Sequence, residues 1–387
     1  AVLFDRPALS MRNLAIAAII VLLREPETMA GPSFQMSFAA VAAMIAAHEW
    51  WLSRLRRPRE PTGWGGILLR RLGVVVAGSL LTTLIASTAT APFAAYHFQR
   101  INPYGLIGNA LAIPFVSLLV MPAAVAGTLL MPFGLDGPVW RLMGVGSSAV
   151  LDVAAWVALI DGSVRGVRAF PVEHLLWMAA GFVVLVLVRT PLRLAGLAVA
   201  LLATMAAART SPADVLIDRQ GQVVALRGAD GRLAVLGRSS SRFTVDRWLA
   251  ADGDLRKGND PGLRAGTLCD RMGCIGRLSD GRAVALVLLP EAFEEDCSRA
   301  QLVVTPLPAP QFCARTALVI DRARLAESAS LALRLEEGRF AVTETRPSEA
   351  WKPWFGRGRS RQPAAVTVET SQPETAAPDD GSDLLTP

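Results

Sequence analysis

The chain has 387 residues, 52% of them hydrophobic and 19% charged, and a mean hydropathy of +0.38, which excludes a purely water-soluble protein of ordinary composition. Its formal charge of +6 divides into +7 for residues 1–211 and −1 for residues 212–387. The basic excess therefore belongs to the apolar half, where membrane topology accounts for it without a nucleic-acid partner.

The opening residues "AVLFDRPALSMRNLA" show neither an initiator Met nor a signal-peptide pattern, so a fragment is expected. Apolar stretches follow at 12–24, 34–53, 72–97, 104–131, 139–160, 172–188 and 192–208. A crossing helix needs about 20 apolar residues, so the first and the last two are expected to be half-spans or helices packed inside a bundle.

The loop "SRLRRPREPTGWGGILLRR" holds Arg54, Arg56, Arg57, Arg59, Arg70 and Arg71 against Glu60, which marks it as cytoplasmic. Counting from there puts "MPFGLDGPVWR" and "RTPLR" inside. "RINPYG", "DGSVRGVRAFP" and everything after Arg209 fall outside, against which Arg165 and Arg168 stand as basic exceptions.

Polar groups interrupt the spans. "SFQMSFA" places Ser33, Gln35 and Ser37 at the head of the second. "ASTATAPFAAYHF" supplies Ser87, Thr88, Thr90, Pro92, Tyr96 and His97, and "NPYGLIGNALAIPFVSLLVMP" supplies Asn109, Pro114, Ser117 and Pro122. Proline removes a donor and frees a carbonyl, which survives at membrane depth only inside protein or beside water. Segments 72–97 and 104–131 are thus candidates for a pathway wall; the alternative is a dry bundle whose Ser, Thr and Asn bond across helices. Small residues repeat every four positions at Ala39, Ala43 and Ala47, and again at Gly144, Ser148 and Asp152. Asp152, roughly 13 Å from the Asp161 end at about 1.5 Å per residue, is the one acid well inside a span. It reads either as a functional group or as a register-fixing hydrogen bond.

Taken in order, "RNLAIAAIIVLLREPETMAGPSFQMSFAAVAAM" and "ASTATAPFAAYHFQRINPYGLIGNALAIPFVSLLVMPAAVAGTLL" resemble the competence region of ComEC-type DNA-uptake channels. The likeness covers roughly residues 10–165 and rests on the series Arg-Asn, Pro26, "FQMSFAA", "TAPF", Asn109 followed by "AIP", and "MP". It implies a multi-pass inner-membrane channel passing one DNA strand into the cytoplasm, further helices and a soluble domain upstream of Ala1, and periplasmic ancillary domains. The implied partners are single-stranded DNA, the lipid bilayer, other DNA-uptake components and a second copy of the chain in a homo-oligomer; no cofactor is implied. Gln35, Ser37, Thr88, Tyr96, Asn109, Ser117 and Asp152 are the channel-lining candidates.

After Ser211, "DVLIDRQGQVVALRGADGRLAVLG" alternates around turns as a β-meander, followed by a short helix at "FTVDRWLAADG". Strand runs recur at "GRAVALVLLP", "AQLVVTPLP", "TALVID" and "SLALRLEEGRFAVTETRP". All four cysteines, Cys269, Cys274, Cys297 and Cys313, lie here. An even number in the polar half favours disulfides in an oxidising compartment over zinc or free thiols, with the pairing open. Related channels often end in a metallo-β-lactamase-like domain, but residues 212–387 contain no histidine, so that di-zinc chemistry is ruled out and no enzyme activity is expected. His48, His97 and His174 lie at span ends. Asp230, Asp252 and Asp280 sit beside Gly as turn residues.

The expected fold is a polytopic α-helical membrane domain over 1–211, a soluble periplasmic mostly-β or α+β domain over 212–356, and a disordered tail over 357–387. Two other functions compete with the channel: a membrane-anchored periplasmic hydrolase using Glu294, Glu295 and Asp296, and a structural anchor for a partner.

Overall fold

The structure is a computed structural model that describes residues 10–52, 64–237, 242–328 and 330–344. The Arg-rich stretch at 53–63 and the tail beyond 344 lie outside the described residues. The chain divides into two units, one of residues 1–212 together with Leu249–Arg256, the other of Ala213–Trp248 with the chain from Lys257 onward.

The first unit is helical. α1 (Met11–Arg24) starts at Ser10, whose hydroxyl accepts the Asn13 N–H, satisfying one orphan donor of the first turn. α2 (Pro32–Leu52) and α3 (Trp64–Phe98) follow, then a two-residue strand β1 (Arg100–Ile101). Next comes a nearly continuous helix made of α4 (Gly105–Phe115), a π-type turn at Val116–Val120 and α5 (Met121–Leu130). Pro122 has no N–H to give to the Leu118 carbonyl, and the winding loosens so that Met121 N–H reaches the Val116 carbonyl instead. α6 (Gly137–Ala158), β2 (Arg165–Gly166), α7 (Val172–Leu187) and α8 (Arg193–Ala208) complete the unit.

Three of these helices are long and apolar enough to cross a membrane: Val76–Phe98, Gly105–Phe133 and Gly137–Ala158, of 23, 29 and 22 residues. α7 and α8 have 16 residues each, short of the ~20 needed to span alone. They instead form a tight hairpin in which Gly181 and Gly196 face one another. A Cβ on Gly181 would come within 2.5 Å of the Gly196 carbonyl oxygen, so the two backbones touch, the close approach that small residues permit in membranes. α4, α5 and α6 pack the same way, with Gly146 seating Leu119 and Val120, and Gly127 seating Trp140. The buried core of the unit lies where α2, α3, α7 and α8 meet, around Ala39, Phe93, Phe170, Leu175, Met178 and Ala203.

The second unit is two five-stranded sheets face to face. One is ordered β12-β11-β3-β4-β5 and wholly antiparallel, from β3 (Val215–Ile217), β4 (Val224–Arg227), β5 (Leu233–Leu236), β11 (Leu331–Glu336) and β12 (Arg339–Glu344). The other is ordered β10-β9-β8-β7-β6, from β6 (Thr267–Cys269), β7 (Gly273–Arg277), β8 (Ala283–Val287), β9 (Leu302–Val304) and β10 (Leu318–Ile320). Ile217, Leu226 and Leu236 from the first meet Val284, Leu286 and Leu302 from the second.

β8 is buried along its whole length because its alternate residues Ala283, Ala285 and Val287 face a second cluster with Phe293 and Cys297 of α10 (Phe293–Arg299). That helix is the crossover that makes β8 and β9 parallel. α11 (Arg322–Glu327) is a further helix of this unit, and α9 (Arg242–Asp252) begins in it and from Leu249 belongs to the first. Cys269 is bonded to Cys274 across the β6–β7 hairpin, and Cys297 to Cys313 within the second cluster.

Candidate functional site

The helices of the first unit alternate in direction, and this sorts their ends. Gln35 near the start of α2 meets His97 at the end of α3; Gly108 at the start of α4 meets Val157 at the end of α6, and Gly127 in α5 meets Trp140 at the start of α6. One end of the bundle therefore collects Gln35, Tyr96, His97, the segments 99–104 and 159–171, the start of α7 and the exit of α8. The opposite end holds the 131–136 turn and an exposed ion pair, Arg189 to Glu49 at 2.8 Å.

At the first end the Gln35 side chain is bonded at both of its polar atoms. Its Nε2 donates to the Met29 carbonyl at 2.9 Å, and its Oε1 lies 2.8 Å from His97 Nε2. An amide oxygen only accepts, so the proton of that bond sits on His97 Nε2. The Tyr96 ring stands edge-on to His97 at 5.0 Å and 5.6 Å from Phe170. His174 contributes a buried Nδ1 that has no hydrogen-bond partner among the described residues. Gln35 and Tyr96 are thus brought together, through His97.

The other five lining candidates are not. Ser37 on α2, Thr88 on α3, Asn109 on α4, Ser117 in the π-type turn and Asp152 on α6 are all exposed on outward faces of the isolated chain. None makes a side-chain hydrogen bond among the described residues. Pro92 lacks the N–H that would engage the Thr88 carbonyl, so α3 is without that backbone bond beside the Thr88 hydroxyl. Other hydroxyls behave differently: those of Thr82, Thr90, Thr128, Ser148 and Thr204 bond the carbonyl one turn back, at 2.7 to 2.9 Å. The cross-helix bonding considered for a dry bundle is not what these hydroxyls do.

Sequence reasoning missed the ribbon formed by β1 and β2, where Arg100 stands opposite Gly166 and Ile101 opposite Arg165. Two residues are too few for a period to show. The one available signal was the pair of arginines in segments assigned to the Arg-poor side.

In the second unit, no group of three or more metal-ligating side chains is gathered among the described residues. Asp230 and Asp280 each accept a backbone N–H two residues on, at 3.0 and 3.1 Å, as turn residues do, while Asp252 ends α9. Asp218, buried, holds the β3–β4 turn by accepting the N–H of Gln222 at 2.8 Å and of Val223 at 3.0 Å. On α10, Glu295 pairs with Arg299. Burial, then the neighbouring Glu295 and Asp270 carboxylates, push Asp296 above the usual carboxylate range, with Arg299 opposing them.

In comparison with known protein families, residues 1–192 fit the family model described as competence protein. No curated protein matches, and no solved structure does. The matched region ends in the α7–α8 connection, so α8 and the β-rich unit lie beyond it.

Proposed function

Because the chain belongs to the competence-protein family, and so has a role in competence, we propose that its membrane half forms part of the wall of an inner-membrane conduit that passes a single DNA strand into the cytoplasm. Each phosphate carries a charge that hydrocarbon does not accept, so the conduit is wet or lined with polar and aromatic groups. One observation carries the proposal: apolar helices of spanning length turn Thr88, Asn109, Ser117 and Asp152 outward without a partner. Facing lipid, an ionised group at mid-span costs about 2.5–3.5 kcal/mol on insertion scales. Facing a water-filled path shared with the rest of the assembly, it costs little. The β-rich unit lies on the periplasmic side, other uptake components and a second copy complete the wall, and no bond is made or broken by this chain.

Cysteine placed at Thr88 or Asn109 in the full chain tests this, since all native cysteines are in disulfides. Both variants should react with a membrane-impermeant maleimide in intact membranes while still supporting transformation in a competent host. Protection of both positions at full transformation frequency would remove these helices from the wall.

A further inference from the structure

The segments 99–104 and 159–171 carry Arg100, Arg165 and Arg168 against a single acid, Asp161. Their backbone is held in place. β1 and β2 pair antiparallel, Val167 N–H donates to the Gln99 carbonyl at 2.8 Å, and Ala169 N–H donates to the Ala251 carbonyl at 2.7 Å, all within the helical unit. Gly166 is pressed so close to Gly253 that a Cβ there would collide with the Gly253 carbonyl oxygen. Gln99, which ends α3, takes a left-handed φ of 52° and so turns the chain out of the helix into the ribbon.

The side chains are another matter. Arg100, Arg165 and Arg168 are all exposed, and none of them makes a hydrogen bond or ion pair among the described residues. By register Arg100 shares a ribbon face with Gly166 while Arg165 takes the other, so cations stand on both faces. Long guanidinium side chains on the two faces of so narrow a ribbon can both reach the phosphates of one flexible strand as it passes. Arginine is disfavoured in the translocated loops of a membrane protein. Three of them on a fixed backbone, free of internal counter-ions, have no structural task to explain them.

We propose that Arg100, Arg165 and Arg168 form a phosphate-binding ribbon that grips the backbone of a DNA strand at this end of the bundle; the proposal rests on the strand-transfer reading above. Guanidinium forks bind phosphate oxygens bidentately and read no base, so the grip is independent of sequence, as transfer of arbitrary DNA requires.

The test is binding of a fluorescent oligothymidylate to the full chain in zwitterionic lipid nanodiscs, over a series of salt concentrations. For single strands the slope of log K against log salt is about −0.7 per neutralised phosphate, so R100Q/R165Q/R168Q should flatten it by about 2 and each single Gln variant by about 0.7. The charge-preserving R100K/R165K/R168K variant should keep most of the slope, and it separates lost charge from lost fold. If the parent binds and the Gln variants match it in affinity and slope, the ribbon is not the grip, although strand transfer by other residues stands. Should the parent bind no strand even at low salt, the strand-transfer reading falls and the ribbon with it. A Gln effect confined to discs containing phosphatidylglycerol and absent from DNA binding would assign the arginines to lipid headgroups instead.

Discussion

Gln35 lies in the first turn of α2, reaching back to the Met29 carbonyl and across to His97 with one amide. A polar side chain at the head of an apolar run is thereby explained without a ligand: it ties a helix start both to the turn before it and to the end of the neighbouring helix. Asp296 shows the converse, a charge that the fold tolerates at some cost. Burial and the Glu295 and Asp270 carboxylates raise it from 3.8, so the folded state holds its proton more tightly than the unfolded chain does. Unfolding free energy therefore falls as pH rises from the unfolded value through the raised folded one, and above that window the penalty is constant. Asp296→Asn should stabilise the β-rich unit at neutral pH by roughly 0.5 kcal/mol, a figure discounted for solvent screening, and the gain should vanish in acid. Thermal melts of parent and variant across that range check it; a gain that grows as pH falls would reverse the assignment.

At the scale of elements, the two disulfides should differ in worth. Cys297 and Cys313 are 16 residues apart and buried at 1% and 0% exposure, whereas Cys269 and Cys274 are 5 apart at a sheet edge. Loop-closure entropy assigns about 3 kcal/mol to the longer loop and about 2 to the shorter, and the buried pair also fills the core under α10. Hydrogen exchange of the β8 amides in the full chain should thus accelerate more in C297A/C313A than in C269A/C274A; equal rates would deny the buried bridge its role. The elements themselves were largely legible in the sequence. Apolar runs starting near residues 12, 34, 139, 172 and 192 became helices starting at Met11, Pro32, Gly137, Val172 and Arg193, and the alternation after Ser211 became the β3–β4–β5 meander. What composition does not encode is pairing between distant segments. The parallel β8–β9–β10 order depends on a crossover through α10 and a second through residues 305–317, β6–β7 hides within "TLCDRMGCIGR", and the β1–β2 ribbon pairs residues 64 and 66 positions apart in the chain. Of the site, Gln35 was legible as a polar residue in an apolar run. That Thr88, Asn109, Ser117 and Asp152 face outward was not, because a helix's period tells which residues share a face and not which face its neighbours leave open.

For the molecule as a whole, the antiparallel order of the helices binds several facts to one side of the membrane. If α3, the α4–α5 helix, α6, α7 and α8 alternate, then Asn102, Gly162 and Arg209 share a side, and the 131–136 turn shares the other with the start of α3. On the proposed orientation, with the Arg-rich sequence before α3 retained in the cytoplasm, the β-rich unit and the arginine ribbon are expected outside. The disulfides add an independent demand, since bridges persist in oxidising compartments and not in the cytosol. Reporters active only when exported, fused after Asn102, Gly162 and Arg209, should all be active, and one fused after Gly134 should be silent. In a strain lacking its disulfide catalyst, the second unit should accumulate with free thiols. A silent fusion after Arg209 beside an active one after Asn102 would require an odd number of crossings between them, which neither four alternating helices nor a re-entrant α7–α8 hairpin held by Gly181 against Gly196 supplies, and would overturn the alternation.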